Sequence, residues 1–189
     1  MIDARGELAA ILVAAYSGEQ AAALAYRGHW RSCVEPDERE AIQQIEDDEW
    51  RHRRIVGQML ERLGADPSPR REVRSRIVGR VLGLLCGLAG RRLPMLAAGR
   101  LERGNVCAYD EAASLAEAGN LPEMVGELRE MAEVEREHER YFRAKVAGRP
   151  ASLARKVAAL RETTPEVIGT SPSAPTPAFS GARSDVVRV

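Results

Sequence analysis

Two carboxylates and one imidazole recur in the same order in each half of this chain. The residues are Glu19, Glu49 and His52, and then Glu102, Glu135 and His138. The interval from Glu19 to Glu49 is 30 residues and that from Glu102 to Glu135 is 33, so each half has room for one helical hairpin. One Glu from each of two helices and a Glu-x-x-His from each of two others form the ligand set of a dinuclear metal site. The spacing therefore predicts such a site inside a bundle.

Hydrophobic periodicity predicts which way these side chains face. Apolar residues recur at steps of three and four around each of them, which is typical of the buried stripe of a helix. The clearest stripe reads Ile42, Ile45, Glu49, His52, Val56, Met59 and Leu63. Tyr26 and Tyr109 each follow a predicted ligand by seven residues and fall on the same stripe. Glu46, Glu133, Glu137 and Glu139 fall off it, so we expect them to be exposed helix charge.

The energetics of burial favour a metal at these positions. Burying an unpaired carboxylate costs several kcal/mol, and four together need a charge of about +4 to neutralise them. Two divalent ions supply that charge. Mixed carboxylate and imidazole ligation suits iron first, with manganese or zinc as less favoured alternatives. The third histidine, His29, lacks a Glu at this offset and is expected near the end of the first helix.

Composition predicts one helical domain in a reducing compartment. The chain has 189 residues, 44% of them hydrophobic and only 4% aromatic, which suits helix packing by aliphatic side chains. A formal net charge of zero disfavours a nucleic-acid partner. Three cysteines without a Cys-x-x-Cys indicate neither a disulfide framework nor a thiolate metal site. Because Glu7 interrupts the early apolar residues, no export signal is expected, and the predicted location is cytoplasmic.

The positions of Pro and Gly residues predict where the helices begin and end. Four bundle helices are expected at about 7–32, 37–64, 94–119 and 122–148, with Asp37 capping the second and Pro122 opening the fourth. A further helical stretch at about 73–89 connects the second to the third, which lets those two run parallel. The predicted fold is an all-α, ferritin-like four-helix bundle with a helical crossover between helices 2 and 3. Residues 1–150 are assigned to it, and 151–189 to a short helix and a disordered tail rich in Ser, Pro and Thr.

The connecting stretch is strongly apolar but too short to span a bilayer. Its longest uncharged run, 81–90, is about half of what a membrane requires. Gly79, Gly83 and Gly87 form a ridge of small residues that permits close helix contact, and five arginines from Arg70 to Arg80 border it. Two interpretations stay open. The stretch lies on a membrane surface or admits a hydrophobic substrate, or it is a crossover helix packed on the bundle or in a homo-oligomer interface.

The segment from Gly18 to Gly28 resembles the first helix of the demethoxyubiquinone hydroxylase family. The Glu-x-x-His pairs, the glycine-rich connection, and Glu102 with Tyr109 follow in the family's order, over roughly residues 8–147. One position differs, because the family has a His directly before this Tyr and the chain has Ala108. The resemblance implies a di-iron monooxygenase that uses dioxygen to hydroxylate a quinone-like hydrophobic molecule, bound peripherally to the inner face of the membrane.

The resemblance also implies roles for single residues. Glu49 and Glu135 would bridge both irons, while Glu19 with His52 and Glu102 with His138 would complete the two sites. Tyr26 and Tyr109 are the predicted catalytic residues, as hydrogen-bond donors to the ligands or as electron relays. Two other functions share the six ligands. One is a rubrerythrin-like peroxidase or ferroxidase acting on peroxide, and the other is an iron-handling or structural ferritin-like protein.

Overall fold

A computed structural model describes residues 3–147 of the chain, and those residues form five helices and no strand. The helices are α1 (Ala4–Ser32), α2 (Pro36–Leu63), α3 (Pro69–Cys86), α4 (Arg92–Ala118) and α5 (Pro122–Val146). The predicted all-α class is confirmed, with α3 as the crossover and α4 as the third bundle helix. The predicted short helix and tail at 151–189 lie outside the described residues.

Local sequence signals place the helix ends. The Asp3 side chain accepts a hydrogen bond from the Gly6 amide and caps α1, while Pro36 and Pro122 open α2 and α5 in the first turn, where no amide partner is needed. Gly64 ends α2 in the left-handed region, with φ of 66°.

The predicted start of α2 and both predicted ends of the crossover helix differ from the structure. Asp37 does not cap α2, because the helix already begins at Pro36 with Glu35 before it. The crossover helix begins at Pro69 rather than near residue 73 and ends at Cys86 rather than near 89, since a proline after Ser68 starts a helix as readily as it ends one.

Side-chain pairs fix the directions of the helices. Trp30 reaches Glu46 while Arg53 reaches the Tyr16 carbonyl, so α1 and α2 are antiparallel. Contacts of Arg103 with Glu139 and of Arg129 with Glu117 make α4 and α5 antiparallel in the same way. Because α4 is antiparallel to α1 as well, α2 and α4 run parallel, as the long crossover predicted. The arrangement is that of an all-α, ferritin-like bundle.

The bundle core has two apolar clusters with polar residues between them. One cluster includes Leu8, Leu12, Val56, Met59, Leu128 and Met131, and the other includes Ala22, Ile42, Ile45, Met95 and Phe142. On α2, Glu49 and His52 lie between Ile45 of one cluster and Val56 of the other. The predicted ligands thus occupy the layer that separates the two halves of the core.

The crossover helix packs closely on α1 through two of its glycines. A Cβ atom added to Gly79 would lie 2.5 Å from the Ala21 carbonyl oxygen, and one added to Gly83 would lie 2.9 Å from that of Leu24. Any larger residue would therefore push α3 off α1. Gly87, the third member of the predicted ridge, meets only the carbonyl of Leu84 in its own helix. The interpretation as a crossover packed on the bundle is confirmed for this face of α3.

Among the described residues, α1 is long and apolar enough to cross a membrane by length and composition, with a mean hydropathy of 1.4 over 18 residues. This is weak evidence for a span, because a core helix passes the same test. The α1 helix supplies Leu8 and Leu12 to one core cluster and Ala22 to the other. Its apolar character is accounted for by the bundle.

Candidate metal centre

Six side chains from four helices converge in the polar layer, and they are the six predicted from the sequence. Glu19 comes from α1 and Glu102 from α4, while α2 and α5 each supply a Glu and a His; all six are buried. They form two overlapping groups whose ligand atoms lie within 4.8 Å of one another. One group is Glu19, Glu49, His52 and Glu135, and the other is Glu49, Glu102, Glu135 and His138. Glu49 and Glu135 belong to both, which is the position of a bridging carboxylate.

The imidazoles face the shared carboxylates. His52 Nδ1 lies 3.0 Å from Glu135 Oε1, and His138 Nδ1 lies 3.5 Å from Glu135 Oε2 and 3.6 Å from Glu49 Oε1. The centroids of the two rings are 6.4 Å apart. Each ring thus has one nitrogen directed at the oxygens that the two groups share.

Several polar atoms in the layer lack a hydrogen-bond partner, which bears on whether metal ions fit there. Buried side-chain atoms without a hydrogen-bond partner, within the described part of the chain, are Glu19 Oε2, both Glu49 oxygens, Glu135 Oε2, His138 Nδ1 and Tyr141 Oη. All but the last belong to predicted ligands. Buried polar atoms normally find a partner, so lone pairs that converge without donors suit a cation. The residues present therefore fit two metal ions.

The pKa values of the carboxyl groups in this layer reflect the same lack of hydrogen-bond donors and positive charge. Burial raises the pKa of Glu49, and repulsion from Glu135, Glu19 and Glu102 raises it further. Burial is likewise the main reason that the pKa values of Glu19 and Glu102 are raised. Without cations, the bundle therefore holds part of this cluster as neutral acids.

Glu135 is the exception among the four carboxylates. Burial would raise the pKa of Glu135, but the neighbouring imidazoles of His138 and His52 outweigh it and lower the pKa. Burial would lower the pKa of His138, but its contacts with Asp48 and Glu135 raise it to about 10. Among the four predicted carboxylate ligands, Glu135 is therefore the one that the two histidines keep ionised in the metal-free layer.

The two predicted catalytic tyrosines pair crosswise with the ligands. Tyr26 of α1 donates a hydrogen bond to Glu102 Oε1 on α4, and Tyr109 of α4 donates one to Glu19 Oε1 on α1. A seven-residue offset puts each Tyr two turns from the Glu of its own helix, and the antiparallel partner brings the other Glu to that height. Both phenols are buried, and burial raises their pKa values, so they are donors at neutral pH.

Sequence reasoning missed two polar neighbours of the ligands. Asp48 is buried, and its Oδ2 lies 3.3 Å from His138 Nε2. Asn105 donates from Nδ2 to Glu102 Oε2 at 3.3 Å. A signal for Asp48 was available, because it follows Ile45 by three residues and precedes His52 by four, which is core spacing.

The expectation that Glu46 is exposed was wrong, whereas Glu133 is exposed as predicted. Glu46 is buried because Arg27, Trp30 and Trp50 all donate to its carboxylate. Glu137 and Glu139 are half-buried rather than exposed, and Glu139 pairs with Arg103. A strong donor set can bury a Glu that hydrophobic periodicity places outside the core.

Comparison with known protein families identifies the chain. The model of the family described as "Ubiquinone biosynthesis protein COQ7" matches residues 6–104, slightly more than half of the sequence. The chain belongs to the COQ7 family. Four of the converging residues, Glu19, Glu49, His52 and Glu102, lie within the match, while Glu135 and His138 lie beyond it and reach the site through α5. No curated protein and no solved structure matches the chain.

Family membership states the function in outline. The COQ7 family comprises hydroxylases of ubiquinone biosynthesis of the di-iron type, which supports an enzyme here and agrees with the buried Glu and His cluster. The predicted resemblance to demethoxyubiquinone hydroxylases is thus confirmed. Ubiquinone biosynthesis is a process associated with membranes.

Proposed function

We propose that this protein is a di-iron monooxygenase that uses dioxygen to hydroxylate a hydrophobic, quinone-like ring. The observation that carries the proposal is the convergence of six buried Glu and His side chains, four of which have polar atoms without a hydrogen-bond partner. Four carboxylates with two neutral imidazoles balance the charge of two ferrous ions. The alternative metals, manganese and zinc, suit the ligands less well or lack the redox chemistry that a hydroxylase needs.

In this proposal Glu19, Glu49, His52 and Glu135 would hold one iron, and Glu49, Glu102, Glu135 and His138 would hold the other, so that Glu49 and Glu135 would serve both. Bound ferrous iron supplies the two electrons that activate dioxygen. One oxygen atom enters the ring as a hydroxyl group, and the other leaves as water after taking up two protons. Tyr26 and Tyr109 hold the carboxylates of Glu102 and Glu19 in place by hydrogen bonds.

The outer face of α3 supports a membrane-bound, hydrophobic substrate. Large aliphatic side chains on this helix are exposed, with Ile77 at 59%, Leu84 at 76% and the following Leu88 at 83%. Exposed apolar surface of this extent usually marks a binding face. Arg70, Arg71, Arg74, Arg76 and Arg80 are exposed on the same helix, where they suit anionic lipid headgroups. We propose that the protein lies peripherally on the inner face of the membrane and takes its substrate from there.

Single-turnover chemistry tests the proposal. The iron-loaded protein is chemically reduced, mixed with a short-chain demethoxyquinone analogue, and exposed to dioxygen labelled with heavy oxygen. We expect a hydroxylated product carrying one labelled atom, seen by mass spectrometry. Glu49→Ala should give none, while Glu133→Ala, which changes an exposed carboxylate, should behave as the wild type.

Other results would assign a different function. If dioxygen is consumed while the analogue is recovered unchanged, the hydroxylase proposal is wrong. Iron oxidation that requires peroxide and yields no organic product would favour the rubrerythrin-like peroxidase or ferroxidase. Protein purified from cells with redox-silent metal would favour a structural role. The predicted homo-oligomer stays a prediction, which sedimentation of the loaded protein checks.

A further inference from the structure

The two imidazoles of the layer have different surroundings on the side away from the shared carboxylates. His138 presents Nδ1 to Glu49 and Glu135, and its Nε2 lies 3.3 Å from Asp48 Oδ2. The side chains of Asp48 and His138 are only 5% and 6% exposed. The carboxylate of Asp48 therefore meets the far nitrogen of His138 inside the core.

Within residues 3–147, the only carboxylate in hydrogen-bond or ion-pair contact with His52 is that of Glu135. The His52 ring packs edge to face against Tyr109, with centroids 6.0 Å apart. It also lines a small surface cleft of about 100 Å³ between α2 and α5, together with Arg51, Ile55, Glu127, Glu130, Met131 and Val134. Both rings are buried, but only His138 has a second carboxylate beside its far nitrogen among the described residues.

A buried carboxylate beside one ring nitrogen determines whether the other nitrogen carries a proton or a free lone pair. A neutral imidazole carries one proton, and a carboxylate accepts a hydrogen bond but does not donate one. A proton on His138 Nε2 satisfies Asp48 and leaves the lone pair of Nδ1 directed at Glu49 and Glu135. Such hydrogen bonding fixes the ring orientation and makes an imidazole a better metal ligand.

We propose that Asp48 is a positioning residue that holds His138 in the tautomer and orientation that bind metal, and so makes the two metal positions unequal. The inference rests on the proposed metal centre. The group that contains His138 then binds its ion more tightly than the group that contains His52. The internal repeat differs at this place, because α2 has Asp48 directly before Glu49 whereas α5 has Val134 directly before Glu135.

Binding of Co(II) alone to the full-length, metal-free protein tests the proposal without catalysis. The Asp48→Asn variant keeps the size of the side chain and removes its charge, and Asp47→Asn makes the same change at the exposed neighbouring residue. We expect two Co(II) per wild-type chain, with unequal affinities. Asp48→Asn should weaken the tighter site by about 10- to 100-fold and leave the other unchanged. Asp47→Asn should match the wild type at both.

A measurement on the unaltered protein makes the test independent of the variant's folding. In Zn(II)-loaded wild type with nitrogen-labelled histidine, NMR should show His138 with its proton on Nε2 and its Nδ1 bound to metal. A proton on Nδ1, or Asp48→Asn with wild-type affinity at both sites, would overturn the inference while leaving the metal centre intact. Equal weakening of both sites would also overturn it. Wild-type protein that binds no Co(II) would overturn the metal centre as well.

Discussion

The centre of the bundle and the outer face of α3 depart from the usual distribution of residues in opposite directions. The centre buries four carboxylates, and Glu49 and Glu135 have side chains with no exposure at all. The α3 face exposes aliphatic side chains that a soluble helix normally hides, such as Ile77 and Leu84. Burying charge costs several kcal/mol per ion, and exposing hydrocarbon forfeits about 25 cal/mol for each Å² left in water.

The buried carboxylates and the exposed aliphatic side chains each indicate what kind of partner would offset their cost. Converging lone pairs without donors call for cations, and an exposed aliphatic row bordered by arginines calls for an apolar phase with an anionic surface. The two regions share α1, which carries Glu19 and also packs against Gly79 and Gly83 of α3. A buried Glu and His cluster next to an exposed apolar helix is the arrangement that the proposed hydroxylase of a lipid-soluble ring requires.

The largest expected effect comes from removing a shared carboxylate. Glu49→Ala or Glu135→Ala should abolish metal binding at both positions, because each residue belongs to both ligand groups. Metal content should fall from about two ions per chain to nearly none, measured by elemental analysis after loading with ferrous iron. Glu133→Ala is the control, since Glu133 is exposed and pairs only with Arg136 and Arg140 among the described residues.

Equal metal content in all three variants would contradict the assignment of the ligands. Loss of one ion only from Glu49→Ala would contradict its bridging position but not the presence of a metal. Far-UV circular dichroism of the metal-free variants separates either result from simple unfolding.

The next effect concerns the exposed face of α3. Changing Ile77 and Leu84 together to Asp should lower the affinity for anionic vesicles by at least about tenfold, because burying each aliphatic side chain stabilises by about 1.5–3 kcal/mol. The melting temperature should hardly change, since both side chains are already exposed. Co-sedimentation with phosphatidylglycerol-containing vesicles measures the affinity.

The matched control for the α3 face changes Gln43 and Gln58 together to Asp, which adds the same two charges at exposed polar positions on α2. We expect it to bind vesicles as the wild type does. If both variants lose affinity alike, the loss reflects net charge, and the α3 face is not the docking surface.

The sequence predicted which residues lie in the interior better than it predicted the polar contacts between helices. Helical periodicity placed all six converging residues in the core, because an apolar stripe reports directly which side of a helix is buried. The same reasoning failed at Glu46, since the donors that bury it come from Arg27 and Trp30 on another helix. Periodicity describes one helix at a time, whereas ion pairs depend on two.

Partnerships between helices also needed the structure. The offset of seven residues suggested that Tyr26 and Tyr109 face the ligands, but only the antiparallel packing of α1 and α4 shows that each donates to the Glu of the other helix. Asp48 could not be linked to His138 for the same reason. The relative height of two helices is set by packing and loop length together, and the sequence constrains it only loosely.

The smallest expected effect is on the free energy of unfolding of the metal-free protein. It separates the cost of burying charge from the binding of metal. In metal-free protein, Glu49→Gln should raise the free energy of unfolding at neutral and alkaline pH by about 1–4 kcal/mol, the range for replacing buried charges by neutral groups. Urea denaturation in a chelator, from pH 5 to pH 8, measures the difference between the variant and the wild type.

The sign follows from the direction of the pKa shift. Burial, with repulsion from neighbouring carboxylates, raises the folded-state pKa of Glu49 well above its ordinary value of 4.5. Its contribution to stability is therefore complete below about pH 4.5 and is lost as the pH rises through the raised pKa. The gap between variant and wild type should be small at pH 5 and widen towards pH 8. Burial lowers the pKa of His29 to about 4, but His29 is present in both proteins, so its effect on stability cancels in the difference.

A stability difference that does not change with pH would mean that side-chain shape, and not charge, determines the stability of the metal-free layer. Adding metal should reverse the order, because only the wild type retains the Glu49 carboxylate, which belongs to both ligand groups and can bind the ions.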